Sequence, residues 1–244
     1  MLKKMLFTVL AVCLGAQMAM AKEVVFAVDA TWPPMEFVNS ERDIVGYSVD
    51  FMTAAGEEAG FTPVFRNVAW DGIFAGLAGG NYDAICSSVS ITEERKESMD
   101  FSVPYFEVKQ ALVVPKDSDV TSLSDLSGQP VGAQIGTTGY FTIKDNGAPK
   151  AKSYDEIGLA MQDLRNGRLA GVVCDDPVAA NYAKQEEEFA DELQIAAILE
   201  SDDEEYYGIA LKKGNEDLLE LINEGIQAVK EKGLDDELRA KWIE

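Results

Sequence analysis

Short β-rich runs alternate with helical patterns along nearly the whole chain, and that alternation admits few architectures. Parallel strands cannot be joined by tight turns, so each pair needs a crossover, and βαβ units around largely parallel sheets follow. The strand candidates are 24–28, 62–67, 84–89, 111–114, 131–134, 171–174 and 207–211. One helix is expected from Ser153, where Ser153 and Glu156 have the spacing of a capping box, with Ile157, Ala160, Met161 and Leu164 on one face and Gly167 as the stop. A second runs from Asn215 to Gly233 with Leu218, Ile222, Gly225 and Val229 as its stripe, and shorter ones cover 49–59, 71–77 and 177–184. Pro104-Tyr105-Phe106 and the run 200–205 read as two extended connections about 100 residues apart. If both join the same two lobes, the chain leaves one lobe, builds the other and returns, with a cleft between them.

Residues 1–21 read as an export signal: Lys3 and Lys4, an apolar run over 5–15, and Ala19-Met20-Ala21 as a small-x-small cleavage site, so the mature chain starts at Lys22. The run is too short to span a bilayer, and Lys22 and Glu23 follow at once. Cys13 follows Val12 where a lipidation site needs a small residue, so cleavage after Ala21 is the better reading.

The chain of 244 residues has a formal net charge of −22, and losing the leader removes two lysines and no acid. With no Lys/Arg cluster, such a chain is a poor partner for nucleic acid or for an anionic membrane surface. It has no His, which removes the commonest general base and zinc ligand, so triads, Cys/His dyads and His-containing metal sites are excluded. No metal and no cofactor are expected. Export brings oxidising conditions. Even so, Cys86 and Cys174 each sit in an apolar strand-like run, where free Cys packs as a small hydrophobe, so two buried free thiols are expected.

Four stretches carry binding chemistry. In Ile85-Cys86-Ser87-Ser88-Val89-Ser90-Ile91-Thr92-Glu93-Glu94-Arg95, hydroxyls crowd a strand end, Thr92 can cap a helix, and Arg95 falls in its first turn. Guanidinium plus hydroxyls suits a carboxylate. The competing account makes the serines turn residues and pairs Arg95 with Asp100 or a surface Glu. Gly136-Thr137-Thr138-Gly139 offers N–H groups at a strand-to-helix turn, or is a plain loop with a Thr cap. In Cys174-Asp175-Asp176-Pro177, Asp176 suits a helix N-cap, which leaves Asp175 at a strand end facing the same edge and suited to an ammonium group. Trp32 beside Pro33-Pro34 lies on a rigid loop, whereas for Trp70 ordinary core packing competes with a binding role.

With Tyr105, the run 111–115 and Asp175-x-Pro177-Val178-Ala179, these stretches resemble, in order and spacing, the extracellular solute-binding proteins that deliver polar amino acids to ABC importers. The resemblance covers essentially the whole mature chain. It implies an α/β, two-lobed periplasmic binding protein fold of type II, with two crossover hinge strands and a ligand cleft. Lobe one would comprise 22–108 and 204–244, and lobe two 109–203. It also implies a periplasmic monomer whose partners are a free amino acid and the membrane permease of an importer. Arg95, Ser90 and the backbone near Thr138 would hold the α-carboxylate, and Asp175 with the Ser88 region the α-ammonium. Trp32 and Trp70 would sandwich the side chain, and Asp29, Glu36 and Gln134 would meet its polar end, with Ser87 and Thr137 in the same motifs. Two carboxylates beside a Trp favour arginine or lysine over glutamine. Gly139 stands where a side chain often reaches the ligand in cationic amino-acid binders. An exported dehydratase-like enzyme and a sensory module are rivals on the same scaffold. Binding is favoured over catalysis on the expectation that Arg95, opposite Asp175, keeps that carboxylate ionised.

Overall fold

The computed structural model describes residues 22–147, 149–201 and 203–244, so the leader assignment and Cys13 lie outside it. Two five-stranded sheets dominate. In the first, Lys22–Val28 pairs in parallel with Phe61–Asn67 and with Ala84–Ile85, and Ala210–Lys212 then runs antiparallel between Ala84–Ile85 and Met99–Phe101. In the second, Pro130–Gln134 pairs in parallel with Lys150–Tyr154 and Gly171–Asp175, and Gln110–Pro115 runs antiparallel between Gly171–Asp175 and Leu193–Ile198. Both sheets therefore have three parallel strands extended by two antiparallel pairings, with only the fourth strand of each running against the rest.

The chain passes from the first sheet to the second through Phe106–Val108 and returns through Glu205–Tyr207, and these two strands pair antiparallel as a ribbon of their own. Aromatic packing fixes the ribbon to the first sheet's helices. Tyr207 stacks on Phe106 at 5.7 Å, Phe106 meets Tyr47 edge-on at 5.0 Å, and the Arg239 guanidinium lies 4.3 Å above Phe106.

The helical stripes pack as their spacing predicts. Leu218, Ile222, Gly225, Ile226 and Val229 are the buried face of Glu216–Glu231, and Ile157, Ala160, Met161 and Leu164 that of Ile157–Arg165. The expected capping box does not form. Ser153 lies in the strand Lys150–Tyr154, in register with Ala133, and the helix starts later with no side-chain cap. Pairing along the exposed edge of Pro130–Gln134 outweighs one local cap. The expected strand 84–89 is regular only over Ala84–Ile85, and 207–211 divides at Gly208 between the ribbon and the first sheet. Gly233 ends one helix as expected, yet Leu234–Trp242 follows as another. Cys86 and Cys174 are buried free thiols, as expected.

Gly225 is where Glu216–Glu231 crosses Tyr47–Ala59. A Cβ there would lie 2.5 Å from the Ala55 carbonyl oxygen and 3.0 Å from its carbon. Those are backbone atoms, so the helices themselves must separate. Gly225→Ala is expected to destabilise the protein by about 1–3 kcal/mol despite its better helix propensity. A thermal melt checks this, and an unchanged or raised Tm removes the close approach as a constraint.

Candidate functional site

The strand ends of the two sheets face each other, and the loops leaving them converge. Asp29 and Trp32 follow Lys22–Val28, Ser87, Ser88 and Ser90 follow Ala84–Ile85, and Arg95 stands in Glu93–Ser98. From the second sheet come Gln134, Thr137 and Thr138 after Pro130–Gln134, and Asp175 at the end of Gly171–Asp175. With Glu36 and Trp70, all twelve residues singled out in the sequence line one cavity between the sheets.

Local sequence explains these positions. The Thr92 hydroxyl accepts from the Arg95 N–H at 3.2 Å and Thr137 caps Thr138–Asn146 in the same way, so each helix begins at the cavity. Ser88 has φ 47°, a left-handed conformation that costs a non-glycine residue energy and is commonest at binding sites. Its hydroxyl donates to Glu36 Oε2 at 3.1 Å, and the Ser87 hydroxyl accepts from the Asp29 N–H at 2.8 Å.

Several bonds cross from sheet to sheet. Arg95, held on its own side by the bond from Nη1 to the Ser90 carbonyl at 2.8 Å, donates across through Nη2 to the Gly136 carbonyl at 3.1 Å. Trp70 Nε1 donates to the Ile135 carbonyl at 2.8 Å, and Gln134 Nε2 donates to Asp29 Oδ2 at 2.7 Å. Trp70 also lies under Arg95, 5.7 Å from centroid to guanidinium, and packs edge-on against Phe74, so it serves the core and the cavity together.

Arg95 does not pair with Asp175, Asp100 or any other carboxylate within 4.0 Å among the described residues. This corrects the expectation that Arg95 keeps Asp175 ionised. Burial and, next, the Glu205 charge raise the Asp175 carboxyl to about 7, although Tyr207 and Gln110 donate to it. Burial also raises the carboxyls of Asp29 and, far more, Glu36. Burial lowers the Arg95 guanidinium, with Glu205 and Asp175 opposing. Three buried carboxyls thus face one guanidinium. Two polar atoms of lining residues, Trp32 Nε1 and Glu36 Oε1, are buried without a hydrogen-bond partner. Buried polar groups are seldom left so unless a ligand or water completes them.

Sequence reasoning missed Gln110, Glu205 and Tyr207. Gln110 Nε2 reaches Asp175 at 2.6 Å and Glu205 at 3.0 Å. A Cβ at Gly139 would lie 2.7 Å from Gln110 Oε1, so the buried amide takes the room a side chain there would need. The run 200–205 read only as an extended connection, and the signal overlooked was the alternation within Glu205–Tyr207, which sends alternate residues to opposite faces. Asp176, expected as an N-cap, instead accepts from the Lys109 N–H at 2.9 Å and ties the start of the helix Asp176–Ala180 to the residue before the strand Gln110–Pro115.

The description "Bacterial extracellular solute-binding proteins, family 3" matches residues 24–244. A probable histidine-binding protein of Neisseria gonorrhoeae is 36% identical over 89% of this chain and 81% of its own. ABC transporter arginine-binding protein 1 of Escherichia coli K12 is 31% identical over 99% of both chains. An ancestral arginine-binding protein solved with arginine superposes with a TM-score of 0.85 at 37% identity, over 92% of this chain and 100% of its own.

Proposed function

The chain belongs to the bacterial extracellular solute-binding proteins, family 3, and from that membership we propose that it captures a cationic α-amino acid, arginine or lysine, and delivers it to the permease of an ABC importer. The observation that carries this reading is the charge of the cavity: Asp29, Glu36 and Asp175 against Arg95 alone. A zwitterionic backbone uses one guanidinium and one carboxylate. Of the two carboxyls that remain, burial raises Glu36 well above its ordinary range and so favours its neutral form, which leaves Asp29 for a side-chain cation to balance, whereas a neutral side chain leaves that charge desolvated and unpaired.

Arg95 and the hydroxyl-bearing turns of Ser90 and Thr138 receive the α-carboxylate, and Asp175 with Ser88 the α-ammonium. Ser87 and Thr137 shape those turns. Trp32 and Trp70 flank the side chain, and Asp29, Glu36 and Gln134 meet its end. The lobes, 22–108 with 204–244 and 109–203, close on the ligand about the two-stranded ribbon. The protein works in the periplasm after cleavage at Ala21, as a monomer. An Asp175 carboxyl titrating near neutrality also suits a general acid. A buried carboxyl awaiting an ammonium partner has the same property, and the named relatives are binding proteins, so ligand is expected to leave unchanged.

The unpartnered Trp32 Nε1 favours a second reading, a side chain that also carries an acceptor, such as a glutamine amide or a neutral imidazole. A thermal-shift panel of amino acids separates the two, with mass spectrometry confirming that the ligand is recovered intact. Arginine and lysine are expected to raise Tm most. A larger shift with glutamine or histidine selects the second reading, and a shift confined to acidic amino acids, or none, overturns both.

A further inference from the structure

We propose that Glu205, on the return crossover, is a closure latch: a positioning residue whose carboxylate ties the two lobes together and sets the hydroxyls of Ser90 and Thr138. Its Oε1 accepts from Ser90 Oγ at 2.5 Å and from Thr138 Oγ1 at 2.6 Å, and its Oε2 accepts from Gln110 Nε2 at 3.0 Å. Ser90 lies beyond the first sheet's strand Ala84–Ile85, whereas Thr138 opens a helix of the second sheet and Gln110 begins one of its strands. The three bonds therefore coexist only while the lobes are together. All are charge-assisted, the stronger class of hydrogen bond. Residue 205 is held in place by pairing with Val108 across the ribbon, so the carboxylate is borne by the element about which the lobes move.

Proton counting gives the latch its place beside the ligand. A hydroxyl has one proton to donate, and those of Ser90 and Thr138 are given to Glu205. The ligand's α-carboxylate is then left to Arg95 and to the main-chain N–H groups of the same two turns. The hydroxyls serve closure and the backbone serves the ligand. Gln110 Nε2 donates at once to Glu205 and, at 2.6 Å, to Asp175, so two carboxylates crowd one amide. An ammonium group arriving at Asp175 relieves that repulsion and strengthens the latch. Ligand and latch thus favour the closed form together, which raises affinity through the closed fraction of the free protein.

The inference rests on reading the cavity as an amino-acid site, and its test separates the two. Small-angle scattering of the ligand-free protein is compared for wild type, Glu205→Ala and Glu205→Gln, followed by calorimetric titration with arginine. Glu205→Ala is expected to show a larger ligand-free radius of gyration than wild type, the same radius when saturated, and an arginine Kd weakened about tenfold. Glu205→Gln keeps one acceptor oxygen but sets an N–H₂ against Gln110 Nε2, so it falls between the two, and it also reads the effect should the alanine variant not fold. Unchanged ligand-free scattering in the variants overturns the latch. So does an unchanged or tighter Kd, the tighter case meaning that Glu205 competes with the ligand's carboxylate. If wild type ignores arginine, the proposed ligand falls and the ligand-free scattering alone decides the latch.

Discussion

Replacing Arg95 with alanine is expected to weaken amino-acid binding at least about 30-fold, because removing one partner of a buried charge pair costs about 2–5 kcal/mol. Among the described residues Arg95 is the one cation lining the cavity, so no neighbouring side chain there substitutes for it. Its guanidinium also spans the cleft through the Ser90 and Gly136 carbonyls. Arg95→Lys keeps the charge but not the planar fork that reaches both, so it is expected to lose most of the affinity as well. Asp175→Ala, at the other end of the ligand backbone, is expected to lose a similar amount. Calorimetry with circular dichroism on the same samples measures this. Near-wild-type affinity in a folded Arg95→Ala protein would remove Arg95 from the site.

Acid is expected to act on the ligand and on the fold in opposite directions. The Asp175 carboxyl titrates at about 7, and only its ionised form suits an ammonium group, so binding near neutrality releases a proton. Affinity is full above that pH and falls as pH drops below it, by up to about tenfold per pH unit for a single linked proton. The sign for folding is reversed. A carboxyl raised from 3.8 binds its proton more tightly folded than unfolded, so between about 4 and 7 the free protein gains stability as pH falls, with Asp29 and Glu36 acting in the same sense. Titrations in buffers of different ionisation enthalpy at pH 6.5 reveal the released proton. Asp175→Asn should flatten this part of the pH profile. An affinity independent of pH from 5 to 8 would contradict the assignment.

The cavity was legible because its residues sit on motifs of fixed spacing: hydroxyls at a strand end, a capped turn, an acid before Pro177. All twelve line it. What escaped the sequence lies on the crossovers or directly beside them. Gln110 opens an otherwise apolar strand, and Glu205 closes a run of acids that by composition is solvent-facing. Their inward aim depends on the pairing of Phe106–Val108 with Glu205–Tyr207, a contact between segments about 100 residues apart that no local pattern encodes. Ser153 failed for a related reason, since strand pairing took a residue that local spacing assigns to a cap.

The two thiols also divide the molecule for kinetic purposes. Cys86 directly follows a strand of one sheet, Cys174 lies within a strand of the other, both are fully buried, and burial raises both thiols well above their ordinary range. Neither is nucleophilic until its own surroundings open. The rate at which a thiol reagent modifies each position therefore clocks the local opening of each half separately, without an engineered label. A ligand gripped by both halves should slow the two clocks together, whereas one held by a single half should slow only its own.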